Sequence, residues 1–398
     1  MLRLKICSIF LCLLLLTGCK TQTDLNHIGI VVAVAIDKDP ETDGVIVTSQ
    51  VIRPSSLDRK SPGKEAVVEL VTNRGKTVFE AIRNTTQEFG RLNFYAHTKV
   101  IVIDEKLAKE DVTPILDFFV RGRQLRGYAW LCIAKGASAL EIISVRDGVD
   151  KIQAYYLKGI IENRKFQYQT TAASVIDYYR KALQEGIQPV TGVLEVIEVT
   201  NQPAEKREEN TSKQVRFSGT AVFKKDALVG YLNEKETQGL NWIMEKVKNG
   251  VITLPSLLEQ GKLISLEVKN SKTKIIPEIR DGRISFAVKV KVDVTLVEEQ
   301  AKIKITYPKV MLDYLEEIRK EAEKEIEDEV RLAVNKAQKE LASDIFGFGN
   351  TFGREFPTEW RILKDQWNEI FPTVDYTVEV EVNIIGTDLK QGIFQIEK

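Results

Sequence analysis

Histidine is almost absent from this 398-residue chain: only His27 and His97 occur, and neither stands in a metal-ligand spacing. Cysteine is nearly as scarce, at Cys7, Cys12, Cys19 and Cys132. These residues make a poor source of ligands for a zinc site of the usual type. The members of a Ser-His-acid triad need not be adjacent in sequence. No Gly-x-Ser-x-Gly elbow is present, however, and each histidine lies beside strand-like residues, where a structural role is commoner. Net charge is missing too, since 57 Lys and Arg balance 57 Asp and Glu. A nucleic-acid binder carries a basic excess, so that class is excluded. After residue 16 no long uncharged apolar run occurs, whereas a membrane-crossing helix needs roughly 20 such residues. The stretch from Gly347 to Gly353 lacks the Lys-Ser/Thr and the preceding strand of a phosphate-cradling loop. It reads as a flexible, aromatic-bearing helix connector. Nothing in the pattern argues for catalysis, and no metal or cofactor is implied.

What the sequence does contain begins at its first residues. Arg3 and Lys5 supply a short cationic start, and Ile6 to Leu16 is an almost unbroken apolar run. That run is too short to span a bilayer and has the length of a signal-peptide hydrophobic core. It closes on Leu16-Thr17-Gly18-Cys19, which resembles the lipobox of bacterial lipoproteins. By that resemblance residues 1–18 are a leader, cleavage falls between Gly18 and Cys19, and Cys19 carries a diacylglyceryl thioether at the mature N-terminus. Sulfur is the nucleophile that takes the lipid, and two acyl chains suffice for stable anchoring. The mature chain is then expected on the extracytoplasmic side of a membrane, with an excess of two acidic side chains once Arg3 and Lys5 are gone. Cys132 would be its one free thiol. It lies in the apolar run Ala129 to Ala134 and reads as buried and inert.

At 398 residues, with 43% hydrophobic and 29% charged residues, the chain has globular composition and enough length for two or more domains. Strands are expected at Ile28 to Ile36, Val45 to Ile52, Ala66 to Thr72, Thr98 to Ile103 and Tyr128 to Ala134, with helices at Thr77 to Phe89 and Leu107 to Phe119. This alternation predicts an α/β region over 19–200. Residues 140–185 read as mostly helical, and Val190 to Val199 as strand. Asn201 to Lys213 has no apolar residue except Ala204 and reads as a linker or long surface loop, so the main boundary is placed there. Residues 214–398 then form a C-terminal α+β domain. It opens with a hairpin (Val215 to Phe223, Leu228 to Leu232) and a helix from Glu234 to Lys248. Ile284 to Leu296 alternates apolar and polar residues, as in an antiparallel sheet with one wet face. Asp281-Gly282 pairs it with Ile264 to Ile279, and Val374 to Ile384 repeats the alternation. A long helix from Lys309 to Ile345 carries the stripe Met311, Leu315, Ile318, Ala322, Ile326, Val330, Val334, Ala337 and Leu341. Its other faces are crowded with Glu and Lys, especially Glu316 to Arg331. The fold class expected is α+β and multi-domain, with mixed and antiparallel sheets and helices packed on them.

The segment Ser218-Gly-Thr-Ala-Val-Phe-Lys-Lys-Asp-Ala-Leu-Val-Gly-Tyr-Leu-Asn-Glu-Lys-Glu-Thr-Gln-Gly-Leu-Asn-Trp242 resembles the Ger(x)C family of spore germination lipoproteins. Asp344 to Asn350, Trp360 and Trp367 to Tyr376 form a second similar block. In the N-terminal half Leu25, Ile30, Ala33, Ala35-Ile-Asp37, Gly90, His97, Lys99 and Phe118 to Arg121 agree. The resemblance implies the non-catalytic C subunit of a nutrient germinant receptor, lipid-anchored at the outer face of the inner spore membrane beside integral-membrane A and B subunits. It assigns no nutrient contact to residues of this chain. It also implies three α/β domains, with a split of the N-terminal half near Asp147-Gly148. Two alternatives stand beside it. A lipid-anchored solute-binding protein of a transporter needs paired α/β lobes around a ligand cleft, and a cell-wall hydrolase needs an acid/base or metal constellation.

Overall fold

The computed structural model describes residues 28–53, 67–122, 127–145, 150–199, 212–302 and 308–387. The expected split near Asp147-Gly148 lies outside them. The first half builds one ten-stranded mixed sheet. Its strands are β1 (Ile28–Lys38), β2 (Val45–Ile52), β3 (Val68–Gly75), β4 (Leu92–Phe94), β5 (Val100–Asp104), β6 (Trp130–Ala134), β7 (Ala173–Ser174), β8 (Val190–Val199), β9 (Ser212–Lys224) and β10 (Ala227–Leu232). The order is β10-β9-β8-β6-β5-β1-β2-β3, with β4 beside β1 and β7 beside β6. β1, β5, β6 and β8 run parallel. Central strands buried on both faces read as continuous apolar runs, and β1 and β5 do so because helices cover both sides. On one face lie α1 (Val78–Glu88), α2 (Glu105–Ala108), α3 (Thr113–Arg121) and α6 (Val175–Ala182). On the other lie α4 (Ala139–Ser144) and α5 (Gln153–Glu162). The expected helix Leu107 to Phe119 is two helices, because Pro114 sits in the first turn of α3 and starts it afresh.

The boundary drawn at 201–213 does not divide the sheets. Its residues 201–211 lie outside the described ones, but β8 leaves at Val199 and β9 returns at Ser212 as its antiparallel neighbour. Residues 214–232, expected with the C-terminal domain, therefore complete the first sheet together with residues 212 and 213 of the expected linker. A hairpin loop and an interdomain linker have the same polar composition, so composition cannot tell them apart.

The second half is a four-stranded sheet, β11 (Gly250–Pro255), β12 (Leu263–Arg280), β13 (Arg283–Glu299) and β14 (Asp375–Thr387), in that order. β12 and β13 meet across Asp281 and Gly282, both in the left-handed region, the two-residue turn the dipeptide predicts. β14 runs parallel to β13, not antiparallel. The connection is long enough to carry α8 (Pro308–Asn335), α9 (Phe348–Glu355), α10 (Pro357–Leu363) and α11 (Trp367–Ile370). The predicted stripe of α8 is buried from Ile318 to Val334 on the inner face of this sheet. Its last turn widens over Lys336–Leu341 and is closed by Ala342 at φ +46°, a left-handed cap. The helix α7 (Glu234–Ile243) lies between the two sheets. It opens with a reciprocal Asn233–Glu236 capping box and ends five residues earlier than predicted, where Glu245 turns left-handed at φ +53° and feeds β11. Among the described residues no helix is long and apolar enough to cross a membrane.

Candidate functional site

Among the described residues, three groups of polar side chains, two of them buried, lie where the two sheets meet. The first is centred on Asp344, which is 1% exposed. Its Oδ1 accepts N–H bonds from Phe346 (3.2 Å), Gly347 (2.9 Å) and Phe348 (3.1 Å). Its Oδ2 accepts from the Gly349 N–H (2.8 Å) and the Trp367 indole N–H (2.9 Å). Burial raises the Asp344 pKa, and the hydrogen bonds from Gly349, Trp367, Phe348 and Gly347 oppose the rise. Gly347, at φ +79°, supplies the backbone turn that aims successive N–H groups at one carboxylate. Around it Phe286 and Phe348 stack at 4.5 Å, and Phe352, Trp360 and Trp367 pack edge and face together. The stretch read as a flexible connector is thus a buried knot. The sequence signal for it was Asp followed by two Phe-Gly steps, and that pattern does not reveal burial.

The second group joins this knot to the loop before β8. The Gln188 N–H donates to the Asp344 carbonyl at 2.7 Å, and the Asn350 N–H to the Gly186 carbonyl at 2.9 Å. A Cβ on Gly186 would stand 2.3 Å from Asn350 N, so only glycine permits that approach. Glu185 accepts from Lys364 Nζ (2.8 Å) and Trp360 Nε1 (3.3 Å), and these hydrogen bonds lower its pKa. Of these residues, Glu185, Gly186, Gln188, Trp360 and Lys364 border an open polar cleft of about 380 Å³.

The third group sits between α7 and α8. Trp242 Nε1–H donates to Glu329 Oε2 at 2.6 Å, and Asn241 Nδ2 donates to the carbonyls of Tyr168 and Thr170. Glu329 is 4% exposed. Burial pushes its pKa up to about 8, against the opposing Trp242 hydrogen bond. Gly239 lets the helices touch, since a Cβ there would lie 1.9 Å from the Glu329 carbonyl oxygen.

Each of these carboxylates is committed to N–H donors or an ammonium, and none is paired with a nucleophile. Among the described residues no group of three or more His, Cys, Asp or Glu side chains could hold a metal ion. The arrangement locks two sheets together. Of the residues singled out from sequence, Gly18, Cys19 and His27 lie outside the described ones. Cys132 is fully buried in β6, where desolvation raises its thiol pKa and keeps it from the reactive thiolate form. His97 is exposed, with its ring 5.8 Å from that of Phe94. Asp37 accepts the Ala139 and Leu140 N–H groups at 2.7 and 3.0 Å, so the Ala35-Ile-Asp37 motif fastens β1 to the start of α4.

Two family models match the chain. One described as "Spore germination protein N-terminal domain" covers residues 21–196, and one described as "Spore germination B3/ GerAC like, C-terminal" covers residues 218–388. Spore germination protein KC of Bacillus subtilis (strain 168) is 28% identical over 396 residues, spanning 96% of this chain and 95% of its own length. Spore germination protein B3 of the same organism is 28% identical over 392 residues, spanning 96% and 97%. Among solved structures, the crystal structure of the GerBC protein matches 88% of this chain and 96% of its own, with a TM-score of 0.53 at 23% identity. That likeness is one of fold.

Proposed function

The chain belongs to the Ger(x)C family of spore germination proteins, and on that basis we propose that it is the lipid-anchored, non-catalytic C subunit of a nutrient germinant receptor. In this reading Cys19 carries the diacylglyceryl group at the outer face of the inner spore membrane, and the body behind it assembles with integral-membrane A and B subunits. The observation that carries the proposal is coverage: the two models run from residue 21, just after Cys19, almost to the end of the chain. The seam supports it from the chemical side. Its polar groups are spent on internal hydrogen bonds, as suits a rigid assembly part. The division into regions 19–200 and 214–398 is proposed as a sequence-level one that a single shared sheet bridges. The solute-binding alternative calls for two similar α/β lobes around a cleft. The halves here differ, one a ten-stranded sheet covered on both faces and the other a four-stranded sheet under one long helix.

The experiment is a Cys19→Ala substitution in the full chain, followed in spores. The expected result is loss of the protein from the membrane fraction and a failed nutrient response, with the folded body intact by thermal unfolding. Unchanged membrane retention together with unchanged germination would overturn the proposal.

A further inference from the structure

We propose that the flank of the first sheet at which β1 begins lies against the bilayer, with an anionic lipid surface as its partner. This rests on the reading of Cys19 as the lipid-bearing residue. Eight residues separate Cys19 from Ile28, so the start of β1 stands within at most about 30 Å of the anchored sulfur.

β4, β5 and β6 run parallel with β1, directly or through a shared neighbour, so their first residues gather at this same end. Ile28 pairs with Leu92. Further along, the Lys99 N–H donates to the Val32 carbonyl and the Trp130 N–H to the Lys99 carbonyl. Among the described residues β4 pairs only with β1, and β6 begins level with Val100, so a step is left beside β4. Tyr128 stands at that step.

The side chains there suit a membrane surface. Tyr128 is 77% exposed, more than any other large apolar or aromatic residue among those described, and Leu92 is 53% exposed. A tyrosine ring with an apolar body and a polar tip belongs at the headgroup level. Arg91 and Lys99 are half-buried and have no ion-pair partner among the described residues. Behind Tyr128, a cleft of about 250 Å³ is lined by Tyr95, Lys99, Trp130 and Lys158. Lys158 is held by Glu162 at 2.8 Å, which leaves Lys99 as the uncompensated cation. Thr98, on the same wall, has a hydroxyl with no hydrogen-bond partner. A lysine in a cleft that aromatic residues also line fits a lipid phosphate, whose charge favours the ammonium. Isolated exposed apolar residues are ordinary on any protein. These coincide with unpaired cations at the one end where the tether enters.

The test uses the full lipidated chain reconstituted into vesicles of phosphatidylglycerol and phosphatidylethanolamine. Leu92→Cys, Tyr128→Cys and Lys106→Cys each receive a polarity-sensitive fluorophore. Cys132 is buried and stays unlabelled, and Lys106, exposed just after β5, reports the opposite end. The expected result is a blue shift and several-fold stronger quenching by lipid-borne nitroxide at 92 and 128 than at 106. Charge reversal of Arg91 and Lys99 should cut that quenching at least threefold with no change in unfolding temperature, as should vesicles of phosphatidylcholine alone. Labels at 92 and 128 as water-exposed as the one at 106, on protein that stays with the vesicles, would overturn the docking while leaving the anchor standing. Protein that leaves the vesicles overturns both.

Discussion

Glu329 shows how a single side chain hides in a charged run. Residues 316–331 are dense in Glu, Lys and Arg and read as a solvated face, yet Glu329 falls three positions after Ile326 and one before Val330, on the buried stripe. Helical spacing therefore carried the signal, and the surrounding charge masked it. Its folded pKa of about 8 lies above the ordinary 4.5, so the folded state holds a proton that the unfolded state has lost. The stability contributed by this proton is fully present below pH 4.5 and is lost as pH rises through 8. Glu329→Gln keeps an acceptor for the Trp242 indole. It is expected to remove up to about 4 kcal/mol of that pH dependence and to raise the unfolding temperature at pH 8 but not at pH 4.5. Unfolding temperatures from pH 4.5 to 9 check it. Asp344 behaves differently because all five of its partners are donors. Asp344→Asn turns an NH₂ toward two of them and is expected to destabilise by about 3 kcal/mol, measured by denaturant unfolding. The Phe-Gly steps after Asp344 marked the segment in the sequence, but nothing in them told that the aspartate's carboxylate is buried. Its role comes from the backbone turn that only the folded knot makes.

At the level of elements, periodicity was readable and direction was not. The alternation from Ile284 to Leu296 placed β13 and its buried face, and Asp281-Gly282 placed its register with β12. The alternation of Val374 to Ile384 is the same for a parallel or an antiparallel neighbour, so the parallel β14 could not be read from it. Helix ends suffered similarly. The apolar spacing of α7 runs on through Val247, but Glu245 adopts a left-handed conformation and stops the helix at Ile243. The contact between α7 and α8 yields a prediction against propensity. Glycine to alanine in a helix interior ordinarily stabilises by about 1 kcal/mol. At Gly239 the new Cβ meets the Glu329 carbonyl oxygen at 1.9 Å, and Gly239→Ala is expected to destabilise by about 3 kcal/mol. A gain in stability on calorimetry would refute the close packing of these helices.

On the scale of the whole molecule, two unlike sheets are joined through α7 and the Asp344 knot, where the core of the second sheet takes in Tyr168, Val190 and Val222 from the first half. The α/β alternation of the first half and the one-sided sheet of the second were legible because each pattern repeats over many residues. The sharing of β9 and β10 across the expected boundary was not, since strand partnership is a long-range property. The same joining bears on the proposed function: a rigid body, if tethered by lipid as proposed, could hold the two proposed membrane subunits in a fixed relation. The measurement that tests this most directly is purification of tagged full-length protein from spore membranes, with identification of what accompanies it. The account predicts two multi-span germination subunits in constant proportion to this chain. Recovery of a transporter permease and ATPase in their place would contradict it.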